Sequence, residues 1–118
     1  MAETAGMTLT INGATFEATL EDNDTARALA AMLPMELEMS ELNGNEKYFY
    51  LDESLPQNAS NPGTINAGDV MLFGSDCLVL FYGTHSSSYS YTRIGRIDDA
   101  GGLADAVGAR SVQVRWDK

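Results

Sequence analysis

Apolar and polar residues alternate along most of this chain, and turn residues interrupt the alternation at short intervals. Met7, Leu9 and Ile11 alternate with Thr8 and Thr10. Asn12-Gly13 follows, and then Phe16, Ala18 and Leu20 alternate with Thr15, Glu17 and Thr19. A period of two marks a strand with one buried face. Asn-Gly marks a two-residue hairpin turn, because both residues tolerate positive φ. The pattern then changes: Ala26, Leu29, Ala30 and Leu33 form a helical stripe. Any of Asp22, Asn23 and Asp24 can cap that helix by accepting from free backbone N–H groups. Acids in the first turn suit the helix dipole. The helix is expected from about Asp24 to Leu33, with Pro34 ending it.

The alternation resumes in Met35, Leu37 and Met39 against Glu36, Glu38 and Ser40, a strand with one wet acidic face. Asn43-Gly44 is a turn, and Lys47–Leu51 is a short aromatic strand. Residues 52–64 hold Pro56, Asn58, Ser60, Asn61, Pro62 and Gly63, which read as a long loop. A loop of this length often shapes a binding surface. Val70–Phe73 and Cys77–Tyr82 are strands joined by Gly74-Ser75-Asp76. In the second, Leu78, Leu80 and Tyr82 face one way and Cys77, Val79 and Phe81 the other. Both faces are apolar, so this strand is expected to be covered on both sides, with a helix outside. A strand from Tyr91 or Thr92 to Ile97, a short helix over Leu103–Val107 stopped by Gly108, and a strand over Ser111–Trp116 complete the chain. Seven or eight short strands, one main helix and one short helix make a mostly β fold. The expected form is a closed or nearly closed antiparallel barrel.

Charge narrows the partners. The formal net charge is −10, and residues 1–59 carry 11 acidic and 2 basic side chains against 6 and 5 in residues 60–118. An acidic surface repels phosphate backbones and anionic lipid, so no nucleic-acid or membrane partner is expected. The first ten residues lack a basic n-region and a long apolar run, and no stretch is long enough to span a bilayer. A cytoplasmic protein is expected. Residues 1–6 are set aside as a disordered leader or tag remnant, and residues 7–118 are taken as one domain.

The chemistry-bearing residues are few. Cys77 is the single cysteine and lies within an apolar run, so it reads as a small core residue. One histidine and one cysteine give no zinc site; no metal and no cofactor are expected. Asp22-Asn23-Asp24 fails as a calcium loop, since its sixth and twelfth positions are Arg27 and Leu33. Asn58-Ala59-Ser60 is a sequon that here marks only a loop. His85 stands beside Ser86, Ser87 and Ser88, but neighbours in sequence rarely align for proton transfer, and it reads as an exposed loop histidine. Met32, Met35 and Met39 read as core filling.

One constellation remains. Tyr82, Tyr89 and Tyr91 offer amphipathic surface, Ser86 and Ser88 offer donors and acceptors, and Arg93 can hold a carboxylate or a carbonyl. With His85, these residues are the candidate ligand site, placed near the loops 52–64 and 83–91. The ligand would be a peptide or a small molecule. The competing reading packs the tyrosines on the barrel rim and pairs Arg93 with Asp98. The oligomeric state is left open.

ATLEDNDTARALAAMLP, INAGDVMLFGSDCLVLFYG and SYSYTRIGRID together resemble the small bacterial cyclophilin-like proteins, an uncharacterised family, and the likeness runs from Met7 to Trp116. The resemblance implies a cyclophilin-type barrel, smaller than a true cyclophilin and capped by helix, and it assigns no activity. True cyclophilins are peptidyl-prolyl isomerases with a Phe-His-Arg phrase, Ile-Pro, and Gln-Gly-Gly-Asp. The nearest matches here are Lys47-Tyr48-Phe49-Tyr50-Leu51 and Ala67-Gly68-Asp69, with no arginine between Arg27 and Arg93. Isomerase activity is therefore the alternative to binding, and it would need Arg93 or Arg96 to reach the pocket from another strand.

Overall fold

A computed structural model describes residues 6–118. The strands are β1 (Gly6–Ile11), β2 (Ala14–Leu20), β3 (Met35–Leu42), β4 (Glu46–Tyr50), β5 (Thr64–Ile65), β6 (Asp69–Phe73), β7 (Cys77–Phe81), β8 (His85–Ser86), β9 (Thr92–Ile97) and β10 (Val112–Asp117). The helices are α1 (Asp24–Ala30) and α2 (Leu103–Val107). Eight strands close into an antiparallel barrel in the order β1-β10-β3-β4-β7-β6-β9-β2, and β5 pairs with β8 in a separate ribbon. The mostly β barrel expected from the alternation is the fold observed. β1 starts at Gly6, one residue earlier than expected, and the rest of the leader lies outside the described residues.

The turns follow from their residues. Asn12 and Gly13 have φ of 49° and 82°, and Asn43 and Gly44 have 58° and 69°. Asn12-Gly13 makes a two-residue hairpin between Ile11 and Ala14, and Asn43-Gly44 are the central pair of a turn whose third residue, Asn45, completes the loop between Leu42 and Glu46. Helix α1 is capped by Asn23, whose Oδ1 accepts from the Ala26 amide at 2.8 Å while its Nδ2 donates to the Arg93 carbonyl at 2.8 Å. One side chain thus sets the helix and ties it to β9. The helix ends at Ala30, short of the expected Leu33, because the amides of Met32 and Leu33 tighten onto the carbonyls of Leu29 and Ala30. Leu33 is still buried on the predicted stripe with Ala26 and Leu29.

The core has two parts. The main cluster fills the barrel and includes Leu9, Leu37, Leu78, Leu80 and Trp116, with Leu29 of α1 and Leu103 of α2 packed onto it. The second lies outside the β6–β7 wall: Ile65, Met71, Cys77, Val79, Phe81 and Tyr91. β7 is therefore covered on both sides, as its sequence requires. The outer cover is not a helix. It is the β5–β8 ribbon with Tyr91, fastened by a backbone bridge between Ser60 and Tyr91. The helices are unavailable for this face because their apolar stripes belong to the main core. Between Val70 and Met71 the β6–β9 register slips: Val70 pairs with Gly95 and Met71 with Arg93, and Ile94 is passed over as a bulge.

Candidate functional site

Outside the β4–β7 face lies a cleft of about 550 Å³. Its position follows from strand parity. On β4, Glu46, Tyr48 and Tyr50 share the outward face, and Lys47 and Phe49 point into the barrel. β4 pairs with β7 so that Tyr48 lies opposite Val79 and Tyr50 opposite Cys77. Val79 and Cys77 form an apolar floor. The β3–β4 turn, from Leu42 to Asn45, makes one rim, and His85 to Tyr89 make the other.

The walls are aromatic. Tyr48 and Tyr50 meet edge to face at 5.8 Å, and Phe73 meets Tyr89 at 6.0 Å and Tyr91 at 5.5 Å. Phe81 links the series, touching Tyr91 and His85 at 5.5 Å each. Three of these five contacts are near-perpendicular, at 78°, 85° and 86°, the arrangement ring quadrupoles favour, and the other two are tilted. They give the cleft firm walls with hydroxyl groups at the edges. Tyr50 and Tyr89 are 61% and 64% exposed. They stand at the mouth.

His85 is half-buried in β8, rather than exposed in a loop. Its Nδ1 lies 3.1 Å from the Gly83 carbonyl, which requires an N–H there and leaves Nε2 as the acceptor in the neutral ring. No serine hydroxyl among the described residues bonds to it, so the Ser-His arrangement needed for nucleophilic attack is not formed. Burial pushes the Cys77 thiol up to about 11, reinforced by the charges of Asp76 and Glu46. A thiol held protonated is a packing residue, as its sequence context predicts.

Glu46 is the unusual group. It is only 8% exposed, and its carboxyl makes no hydrogen bond with any described residue. Burial raises its pKa; His85 acts against that shift and the Glu41 charge adds to it.

Of the seven candidate residues, His85, Ser86, Ser88, Tyr89 and Tyr91 line this cleft, and Tyr82 and Arg93 do not. Tyr82 turns toward the end of the barrel, where its hydroxyl donates to Glu41 at 2.6 Å and its ring lies 5.3 Å from the Lys47 ammonium. Arg93 is half-exposed beside Asp69, at 3.9 Å, and Asp98 instead accepts from Thr19. Arg96 does not line the cleft either, and neither does the loop 52–64. That loop is fastened at Ser60, which bridges to Tyr91 of the second core, and at Leu55, which packs into the main core and whose amide donates to the Ser75 carbonyl. Glu46, Tyr48, Tyr50 and Phe73 also line the cleft and are not among the residues expected there from the sequence. Their signal was present in Glu46-Lys47-Tyr48-Phe49-Tyr50, whose alternation sets an acid and two tyrosines on one face.

Among the described residues no group of three or more histidine, cysteine or acidic side chains is placed to hold a metal ion, and no helix is long and apolar enough to cross a membrane. The sequence profile of the cyclophilin-like family matches residues 9–117. A hypothetical protein from Archaeoglobus fulgidus, known from a solution structure, superposes with a TM-score of 0.70 at 21% identity, covering 97% of this chain and 94% of that one. At that identity the likeness carries the fold alone. No curated protein matches the chain.

Proposed function

Since the chain belongs to the cyclophilin-like family, whose fold alone fixes no chemistry, we propose that it is a binding barrel that takes a small molecule or a peptide side chain in the outer cleft. The observation that carries this reading is the cleft itself: about 550 Å³, floored by Val79 and Cys77 and walled by tyrosines and Phe73. Its size and mixture of apolar walls with a few polar groups suit a small ligand. The rim serines and His85 supply orienting contacts. The isomerase alternative lacks an arginine in this cleft to polarise a prolyl amide, and Arg93 stands outside it beside Asp69. On charge, we propose no nucleic-acid or membrane partner, since the net charge is −10. A lone, buried thiol is compatible with a reducing compartment, and we take the cytoplasm as the setting.

An NMR screen of fragments and short peptides tests the reading. Shifts concentrated on Tyr48, Tyr50, Val79 and residues 85–91 are expected. Hits that scatter, or that gather around Arg93 and the loop 52–64, would overturn it.

A further inference from the structure

We propose that the ligand of this cleft carries a compact organic cation, a primary ammonium or guanidinium group, which pairs with the Glu46 carboxylate. The proposal rests on the binding reading above and names the ligand class.

Glu46 reaches the cleft from the outward face of β4, opposite Phe81 on β7. The residue is 8% exposed, and its carboxylate, which bonds to no described side chain or backbone amide, keeps its remaining exposure toward the cleft rather than being sealed in the core. A carboxylate that has lost most of its hydration and gained no protein partner is a favourable site for a ligand's charged donor. Its neighbour Lys47 cannot serve, since that side chain points into the barrel and spends its three donors on Glu41, Gly108 and Arg110. No lysine or arginine lines the cleft. His85 is held by the Gly83 carbonyl and the Phe81 ring and forms no hydrogen bond with Glu46.

The surroundings favour positive charge over a neutral donor. Tyrosine and phenylalanine rings present negative π faces that attract ammonium and guanidinium groups, most strongly where water is excluded. Tyr48, Tyr50, Phe73 and Tyr91 supply such faces on both sides of the floor. The net charge of −10 raises the local concentration of cations. A ligand nitrogen at Glu46 would gain a charge-assisted hydrogen bond while its organic body covers Val79 and Cys77.

The test compares benzylammonium with benzyl alcohol, which share a ring and differ in charge, by NMR titration of the labelled protein. Benzylammonium is expected to bind about tenfold more tightly, equivalent to about 1.4 kcal/mol. In Glu46→Gln, which keeps the shape and removes the charge, the two should bind within about twofold of each other. Equal affinities for the wild-type protein, needing no variant, would overturn the cation assignment. So would a preference that survives in Glu46→Gln. If neither probe shifts the cleft while neutral fragments do, the cation assignment fails and the binding reading stands. If nothing shifts the cleft, both fail.

Discussion

The Lys47 ammonium lies 2.8 Å from the Glu41 carboxylate, and the lysine side chain has no exposure to solvent. The carbonyls of Gly108 and Arg110 take its other two protons. A lysine is tolerated inside a barrel end only when all three donors are met in this way. It joins β4 to the end of β3 and to the segment before β10. Lys47→Met should destabilise the fold by about 3 kcal/mol, the lower end for breaking a buried pair, because Glu41 keeps some contact with water and its bond to Tyr82. Arg27→Ala should be close to neutral, since Arg27 pairs with Asp22 and Asp24 in full solvent. Urea unfolding of both variants checks this, and equal small effects would contradict it.

Tyr82 and Glu41 make stability depend on pH at both ends. Burial, with help from the hydrogen bond to Glu41 and its charge, moves Tyr82 from its ordinary 10.0 to about 12. Folding therefore favours the protonated phenol. That stability is complete below pH 10 and is lost as pH rises through about 12. For Glu41, burial pushes upward, but the hydrogen bonds from Lys47, Tyr82 and the Gly44 amide outweigh it and hold the carboxyl below the ordinary 4.5. Its contribution is present above that value and is lost as pH falls through the lower folded one. Tyr82→Phe should flatten the alkaline limb of the stability profile, and Glu41→Gln the acid limb. Urea midpoints measured across pH check both; profiles parallel to wild type would contradict the assignment.

Gly95 is required by a close approach of backbones. A Cβ there would stand 2.5 Å from the Thr19 carbonyl oxygen and 3.2 Å from Leu20 Cα. Both belong to β2, which cannot withdraw without opening the β2–β9 seam. Gly95→Ala should cost at least about 1–3 kcal/mol, in the range for overpacking a filled core. For a domain of this size, each kcal/mol lowers Tm by roughly 4 °C. Calorimetry gives the answer, and an unchanged Tm would mean the seam is looser than the geometry implies.

Cys77 should be slow to alkylate. With its pKa at about 11 instead of 9.0, the thiolate population at pH 8 falls by roughly a hundredfold, and burial adds to the protection. Iodoacetamide should label the native protein at least that much more slowly than the urea-unfolded chain. Comparable rates would show that the cleft floor is open to reagents.

The barrel was legible because its instructions are local. Asn12-Gly13 and Asn43-Gly44 dictate hairpins, and each flanking strand alternates with a period of two. The two-sided burial of β7 was also readable, from Leu78 and Leu80 against Val79 and Phe81. What covers the outer side was not. The β5 and β8 strands have only two residues each, too short to leave a periodic signal, and their pairing joins residues distant in the chain. The candidate site was half legible for the same reason. His85 to Tyr91 form one continuous polar and aromatic segment, whereas Glu46, Tyr48, Tyr50 and Phe73 come to it through the pairing of β4, β7 and β6. Tyr82 and Arg93 were drawn in by nearness in sequence. Tyr82 lies on the inward parity of β7, and Arg93 is led toward Asp69 by the bulge at Ile94.

Tyr50 and Tyr89 separate binding from folding. Both are largely exposed at the cleft mouth, so Tyr50→Ala and Tyr89→Ala should leave Tm near the wild-type value. Each should weaken a cleft ligand by roughly tenfold if the ring is one of the contacts that carry the affinity. The most direct measurement is a structure of the protein with the tightest fragment from the NMR screen. The fragment is predicted to lie over Val79 and Cys77 between the tyrosines of β4 and those of residues 89–91. A fragment seated instead at Arg93, or under the loop 52–64, would contradict the account.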